Sequence, residues 1–507
     1  MTREATPDPD RGPLADFLKK LLTGSGGAAP PPAPNPPPSP SKEPPMQPAQ
    51  RDWTILLYMA GDNGKVFQTK YGSYSLMAEM TSVGHVDIGE VQKVGTTERV
   101  AVLAQFDTLG EHGAYRLEIR QGRTTMEDVV ETLPEGNTGD PAELARFIVW
   151  GMSRCPARHT MLVLWNHGLG WKDDDIYKTV RSLSRTVRSG RRPRQKNAAL
   201  FRSTAAKVEK VVADPALDDE TRGILCDDSS LDFLTNVEMA QALRVAEVAA
   251  DEAEVAAIFA DEARLQAALS RGPEATRRRL SVIGMDACLM AMVEVHYQVR
   301  RFADVMVASQ EVEPMAGWPY TEIVSKLNQQ PDIGPAQLGE LIVHEYAQSY
   351  RGTRSDSEVT QSAVDLRRLE SDAGLIAQFT DAFRAAYGQD DDLQFAFYKA
   401  AQATRGVFED DEYVDLAAFL RTLLSRYRVD PAAPVAAAGQ ALLDWLTRPS
   451  GPVVANAATG RYQDKAHGAS IYLSQAYNPV SPLYKALDFA GLGWHDLLET
   501  VRTQGQP

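Results

Sequence analysis

Five near-continuous apolar runs constrain this chain more than any other feature of its sequence. They are WTILLYMAG from Trp53 to Gly61, RVAVLAQFD, HTMLVLWNHG, RLSVIGMDACLM and DVMVASQEVEP. A strand reads as continuously apolar when both of its faces are buried, which is the condition of a central strand in a parallel sheet. Helical stretches lie between the runs. SLMAEMTSVG is one, and PAELARFIVWGM is another, with Asp140 placed to cap it ahead of Pro141. AYRLEIRQG alternates and reads as an edge strand. Strands alternating with helices predict an α/β fold, a mostly parallel central sheet with helices on both faces.

Other segments depart from that rhythm. Residues 1–23 hold a short amphipathic pattern, with Leu14, Phe17, Leu18, Leu21 and Leu22 on one helical face. It reads either as a tethered docking peptide for a partner or as a marginal, frayed helix. Residues 24–50 are Pro-rich and read as a semi-extended linker. A core is expected over 51–320, with insertions at 172–222, rich in Arg and Ser, and at 247–279, rich in Ala and Glu. The first is expected to be a mobile loop and the second a helical pair. Residues 321–507 read as mostly helical, with the sheet resuming at VTQSAVDL and HGASIYLS.

Composition removes several function classes. Lys and Arg number 53 against 68 Asp and Glu, a net charge of −15, which disfavours nucleic acid and anionic lipid and favours cationic substrates. No apolar run approaches the length of a membrane span. Three cysteines, Cys155, Cys226 and Cys288, make no disulfide framework. With no apolar leader in MTREATPDPDRGPLADF, the expectation is a cytoplasmic protein, although Met46 is an alternative start.

In open α/β sheets the active groups gather beyond the carboxyl ends of the strands. LVLWNHG places His167 there, followed by Gly168, and VIGMDACLM places Cys288 there. A thiol at a pKa of about 8.5 needs a neighbouring base to attack at neutral pH. The backbone N–H groups of Gly168 and Cys288 are candidates for an oxyanion hole. Asp286 lies two residues before Cys288, about 7 Å along an extended strand and on the same side if the strand continues that far. It reads either as the floor of a pocket for Arg or Lys or as a loop cap. A cysteine in an apolar strand is also an ordinary small core residue. His467 in HGASIY is the main rival to His167; Cys155 and Cys226 are weaker candidates for the nucleophile.

Other chemistries are poorly supported. HEYAQ lacks the second histidine of a zincin, GDNGKV lacks the spacing of a phosphate loop, and no G-x-S-x-G elbow occurs. Acidic runs at Asp173–Asp175, Asp227–Asp228 and Glu409–Glu412 match no EF-hand, so no cofactor is expected, with calcium only a weak possibility.

Eight segments in order, WTILLYMAGDN, NTGDPAELARFIVWGM, LVLWNHGLGW, LTNVEMAQAL, GMDACLMAMVEV, ASQEVEPMAGWPY, YVDLAAFL and HGASIYLS, resemble the clostripain-type cysteine peptidases, of the same clan as caspases. The resemblance implies a caspase-like fold, a Cys288–His167 dyad and Asp286 receiving a basic side chain. It also implies cleavage after Arg, less often Lys. Glu311 or Glu313 is expected to help wall that pocket, while Pro319 in GWPY stands where an acid or Asn is common. The interval from His167 to Cys288 is 121 residues (288 minus 167), against the caspase-like spacing of about 50. Its Arg-rich insertion, with Arg181, Arg185, Arg188, Arg191, Arg192 and Arg194, is expected to be cut by the enzyme itself. The alternative is a caspase-like scaffold that has lost activity and serves as a binding module. A tethered N-terminal helix also fits an effector that activates a partner by cleavage.

Overall fold

The computed structural model describes residues 51–62, 66–69, 72–75, 80–108, 113–134, 136–171, 224–227, 232–272, 275–351, 358–427, 433–475 and 480–504. The N-terminal helix, the Pro-rich linker, the Arg-rich insertion with its candidate cleavage sites and the acidic run at 173–175 lie outside the described residues.

Nine strands form one sheet: β1 (Arg51–Gly61), β2 (Val100–Thr108), β3 (Ala114–Glu118), β4 (Val129–Thr132), β5 (Ala157–Trp165), β6 (Val282–Asp286), β7 (Val305–Ala308), β8 (Thr360–Asp365) and β9 (Val453–Ala458). Their spatial order is β9-β8-β7-β6-β5-β1-β2-β3-β4. The central five strands, β7, β6, β5, β1 and β2, run parallel, and the outer pairings are antiparallel. The five parallel strands are the five apolar runs. Alternate side chains leave the sheet on opposite faces. Leu56, Tyr58, Leu162, Leu164, Ile283 and Met285 enter one core, and Ile55, Leu57, Met59, Met161, Val163 and Trp165 enter the other.

Helices cover both faces, as the alternation of elements predicts. Pro141–Arg154 packs Leu144, Phe147 and Ile148 into the first core. Its start is set by Asp140, whose carboxylate accepts from the Ala142 N–H at 2.8 Å, with Pro141 in the first turn where no donor is needed. Met80–Gln92, Tyr320–Gln329 and Pro335–Ser349 cover the second core with Ile88, Val91, Ile323, Leu327, Leu338 and Ile342. The Ala- and Glu-rich insertion holds two short helices, Glu252–Phe259 and Glu262–Leu269, each capped by an aspartate, Asp251 or Asp261.

Two readings from the sequence are corrected, and two outer strands were not foreseen. Ala114–Glu118 is not the edge: β4 lies outside it. The short run Val129–Thr132 is half-exposed and too brief to stand out. HGASIYLS does not rejoin the main sheet. Its Ser470–Tyr472 pairs with Tyr413–Asp415 in a separate two-stranded sheet and bridges to Met292, just beyond the Cys288 loop. The other edge, β9, has an Ala- and Asn-containing sequence with mostly half-buried positions, and only pairing with β8 makes it a strand.

Removing the cap by Asp140→Ala should destabilise the fold by about 1 kcal/mol. A urea titration would show it as a lower midpoint with an unchanged slope.

Candidate active site

The site begins with a register. Strands β5 and β6 are parallel neighbours, and Trp165 stands opposite Asp286. The Asn166 N–H donates to the Asp286 carbonyl at 3.3 Å, carrying the pairing one residue past the strand end. His167 and Cys288 each follow two residues after this matched pair, so both lie at the same rim. Asn166 pins the histidine loop: its amide donates to the Ala60 carbonyl of β1, and its side-chain oxygen accepts from the His167 N–H. The two loops touch through backbone. A Cβ placed on Gly168 would lie 2.5 Å from the Cys288 carbonyl oxygen and 2.8 Å from Met290 Cγ. Glycine at 168 therefore permits a close approach, and the group approached is the cysteine loop itself.

Strand β6 ends at Asp286, and the backbone then turns sharply, with Leu289 at φ 63°. A positive φ at a non-glycine residue is uncommon and is held here by surrounding bonds. The Leu289 N–H donates to the Glu311 carbonyl at 3.2 Å, and the Ala291 N–H to the Ser309 carbonyl at 2.8 Å. The turn breaks the two-residue alternation expected through Cys288. Asp286 faces the core that holds Trp165 and Trp318, while Cys288 packs with the opposite core. Glu313 restores their proximity. Its N–H donates to Cys288 Sγ at 3.3 Å, and its carboxyl lies beside Asp286.

Cys288 is 7% exposed. Burial, reinforced by the negative charge of Glu313, pushes its thiol up to about 12. Burial of the imidazole pulls His167 down to about 4. The residue as a whole is half-buried, but its Nε2 is enclosed and has no hydrogen-bond partner among the described residues. Both groups are thus neutral in this state, and no hydrogen bond joins them among the described residues. His467 is placed otherwise: its Nδ1 meets Asp415 at 2.9 Å, and Arg421 stands 2.5 Å from its Nε2.

Asp286 is enclosed by the segment that follows Glu313. Its Oδ2 accepts from the Tyr320 hydroxyl at 2.7 Å and from the Trp318 N–H at 3.3 Å. Gly317, at φ 57°, comes so near that a Cβ there would lie 3.2 Å from Asp286 Oδ2. Pro319 occupies the position before the helix Tyr320–Gln329, so GWPY forms a wall around Asp286 through Trp318 and Tyr320. Burial raises Asp286, and burial together with the charge of Asp286 raises Glu313 well above the ordinary carboxylate range. Only one of the two expected glutamates is there. Glu311 accepts instead from the Val312 N–H at 2.8 Å and the Glu409 N–H at 3.0 Å, which anchors the acidic loop at 409–412.

Sequence reasoning missed Asp87, whose Oδ2 accepts from the Trp165 indole at 2.7 Å. The signal was legible. Met80, Gly84, Asp87, Ile88 and Val91 form the buried stripe of their helix, and an acid stands on it. Among the described residues, no group of three or more His, Cys, Asp and Glu is arranged to hold a metal ion.

A mostly parallel sheet that delivers a cysteine and a histidine to one rim defines the architecture of caspase-like cysteine peptidases. The family model of the clostripain family matches residues 73–185 and 213–421, more than half of the chain, and the chain belongs to that family. It is a cysteine endopeptidase. No curated protein matches it by sequence. Solved structures that share its fold include three proteases. An inactive zymogen protease from Parabacteroides distasonis is 18% identical, with a TM-score of 0.52, over 88% of this chain and 99% of that one. Iotapain, a secreted cysteine protease from Bacteroides thetaiotaomicron, is 11% identical, with a TM-score of 0.53, over 88% and 100%. A secreted cysteine protease of the same organism in complex with an irreversible peptide inhibitor is 15% identical, with a TM-score of 0.50, over 87% and 99%.

Gly168→Ala should force the two loops apart. The expected cost is about 1–3 kcal/mol in stability and at least ~100-fold in kcat. Denaturant titration and steady-state kinetics on one preparation would measure both.

Proposed function

We propose that this peptidase cleaves after basic residues, Arg in preference to Lys, through Cys288 and His167, and that it is latent until its chain is cut within 172–222. The observation that carries the reading is the register of β5 and β6. It sets the histidine and cysteine loops side by side, with a buried carboxylate at the end of the same strand as the cysteine.

The chemistry follows from the groups present. The basic side chain of the substrate enters beside Asp286, forming a charge-assisted pair that offsets the burial of the carboxylate. Cys288 Sγ attacks the carbonyl carbon as its proton passes to His167, and the carbonyl π pair moves onto oxygen. The N–H groups of Cys288 and Gly168 hold that oxyanion. The tetrahedral intermediate collapses, the C–N bond breaks, and the imidazolium gives its proton to the departing amine. A thioester remains. Water attacks it with His167 as base, the C–S bond breaks, and the thiol recovers its proton.

Latency rests on the condition of the pair. A thiol at about 12 beside an imidazole at about 4 has almost no tendency to form the reactive ion pair. Opening the site to water brings both values back toward their ordinary range, and neutralising the acids beside the sulfur lowers the thiol further. The solved relative described as an inactive zymogen supports such a resting state. The Arg residues at 185, 188, 191, 192 and 194 are the proposed cutting points, since the pocket would accept their side chains. A cytoplasmic setting, and a partner recruited by the N-terminal helix, belong to the same proposal.

The near-complete burial of Cys288 also favours a second reading, a scaffold without activity. An Arg- or Lys-directed chloromethyl ketone separates the two. The processed chain should be alkylated at Cys288, and His167→Ala should abolish the reaction; absence of labelling before and after cutting would favour the scaffold. Purified Cys288→Ala should stay uncut on incubation. The same cut appearing in that variant would assign processing to another protease.

A further inference from the structure

The buried surroundings of Asp286 hold more acid than its own carboxylate. Asp87 sits on the apolar stripe of the helix Met80–Gln92 and is 3% exposed. Its hydrogen-bond donor, the Trp165 indole, belongs to the residue directly opposite Asp286 across β5 and β6. The two carboxylates lie close enough for the charge of Asp286 to act on Asp87. Tyr320 donates to Asp286 and lies in the field of Asp87 as well. Glu90, one turn along the same helix, and Tyr350, whose hydroxyl donates to the Gly317 carbonyl at 2.8 Å, complete the surroundings.

A second observation points to a ligand. The Tyr346 hydroxyl is fully buried beside this cluster, in the field of Glu313 and Asp286, without a hydrogen-bond partner among the described residues. Buried polar atoms are almost always partnered, so an orphan here marks a place that something polar completes. None of the groups that chiefly shift Asp87, Asp286 and Glu313 is a basic side chain. A group seated among these acids would be cationic and rich in donors.

Arg and Lys differ in what they offer. A guanidinium carries five N–H donors in a rigid plane, enough to address two carboxylates at once, whereas an ammonium is a point charge with three donors. We infer that Asp87 is a specificity-determining residue, the second carboxylate of the basic-residue pocket, and that together with Asp286 it selects the guanidinium over the ammonium. The inference rests on the proposed cleavage after basic residues. Burial, with the negative charge of Asp286 adding to it, raises Asp87 to about 8.

The test uses the processed full chain with three matched fluorogenic peptides ending in Arg, Lys or norleucine at the cleaved bond. Wild type should favour Arg. Asp87→Asn should lower kcat/KM for Arg at least ~10-fold more than for Lys, collapsing the ratio. Asp286→Asn should depress both basic substrates together. An Asp87→Asn enzyme with the wild-type Arg-to-Lys ratio overturns the role of Asp87 and leaves basic specificity standing. Wild type that cleaves the norleucine peptide as well as the basic ones overturns both. If Asp87→Asn does not fold, Asp87→Glu keeps the charge but moves it by one methylene. A shifted ratio in that variant supports the inference, and an unchanged ratio overturns it.

Discussion

The arrangement depends on one constraint, the parallel register between β5 and β6. With Trp165 opposite Asp286, the two strands end level, and the loops that follow carry His167 and Cys288 to one rim. A slip of a single residue would turn Asp286 to the other face of the sheet and withdraw the cysteine loop from Gly168. The register is protected because both strands are buried on both faces. Met161, Val163 and Trp165 must meet one core while Leu162 and Leu164 meet the other. Stability and site geometry therefore rest on the same alternation.

The sheet also divides the proposed labour. Asp286 and Asp87 belong to the layer lined by Trp165, Trp318 and Tyr346, and Cys288 packs with the opposite layer. Glu313 joins them, because its backbone touches the sulfur and its side chain touches the acid cluster. The charges of Glu313, Glu311 and Asp286 all raise the thiol. A cation seated among the acids would cancel part of that effect. In the proposed mechanism, recognition of the substrate side chain and activation of the nucleophile are then linked by electrostatics across a few residues.

Much of this was legible in the sequence, for reasons that differ by element. The five central strands announced themselves because burial on both faces demands unbroken apolar runs. Asp140 was legible as a cap because Asp followed by Pro has a local meaning that needs no tertiary contact. The outer strands were harder to read. Val453–Ala458 is a strand because β8 offers it a pairing edge, and Ser470–Tyr472 leaves the main sheet because Tyr413–Asp415 captures it. At the site, Glu311 and Glu313 stand two residues apart with like chemistry. What separates them is the Glu409 N–H that takes one and the Asp286 carboxyl that meets the other.

The sequence by itself determined the class of fold, the parallel core, and which residues end its strands with reactive groups, because hydrophobic period and strand-end chemistry are written locally. Only the tertiary structure decided that Asp87 takes the indole of Trp165, the residue opposite Asp286, that Glu311 turns away, and that the thiol rests buried and protonated. Those outcomes depend on contacts between segments 25 to 98 residues apart in the chain and on the loss of water around charged groups. A linear pattern encodes neither until the chain has packed.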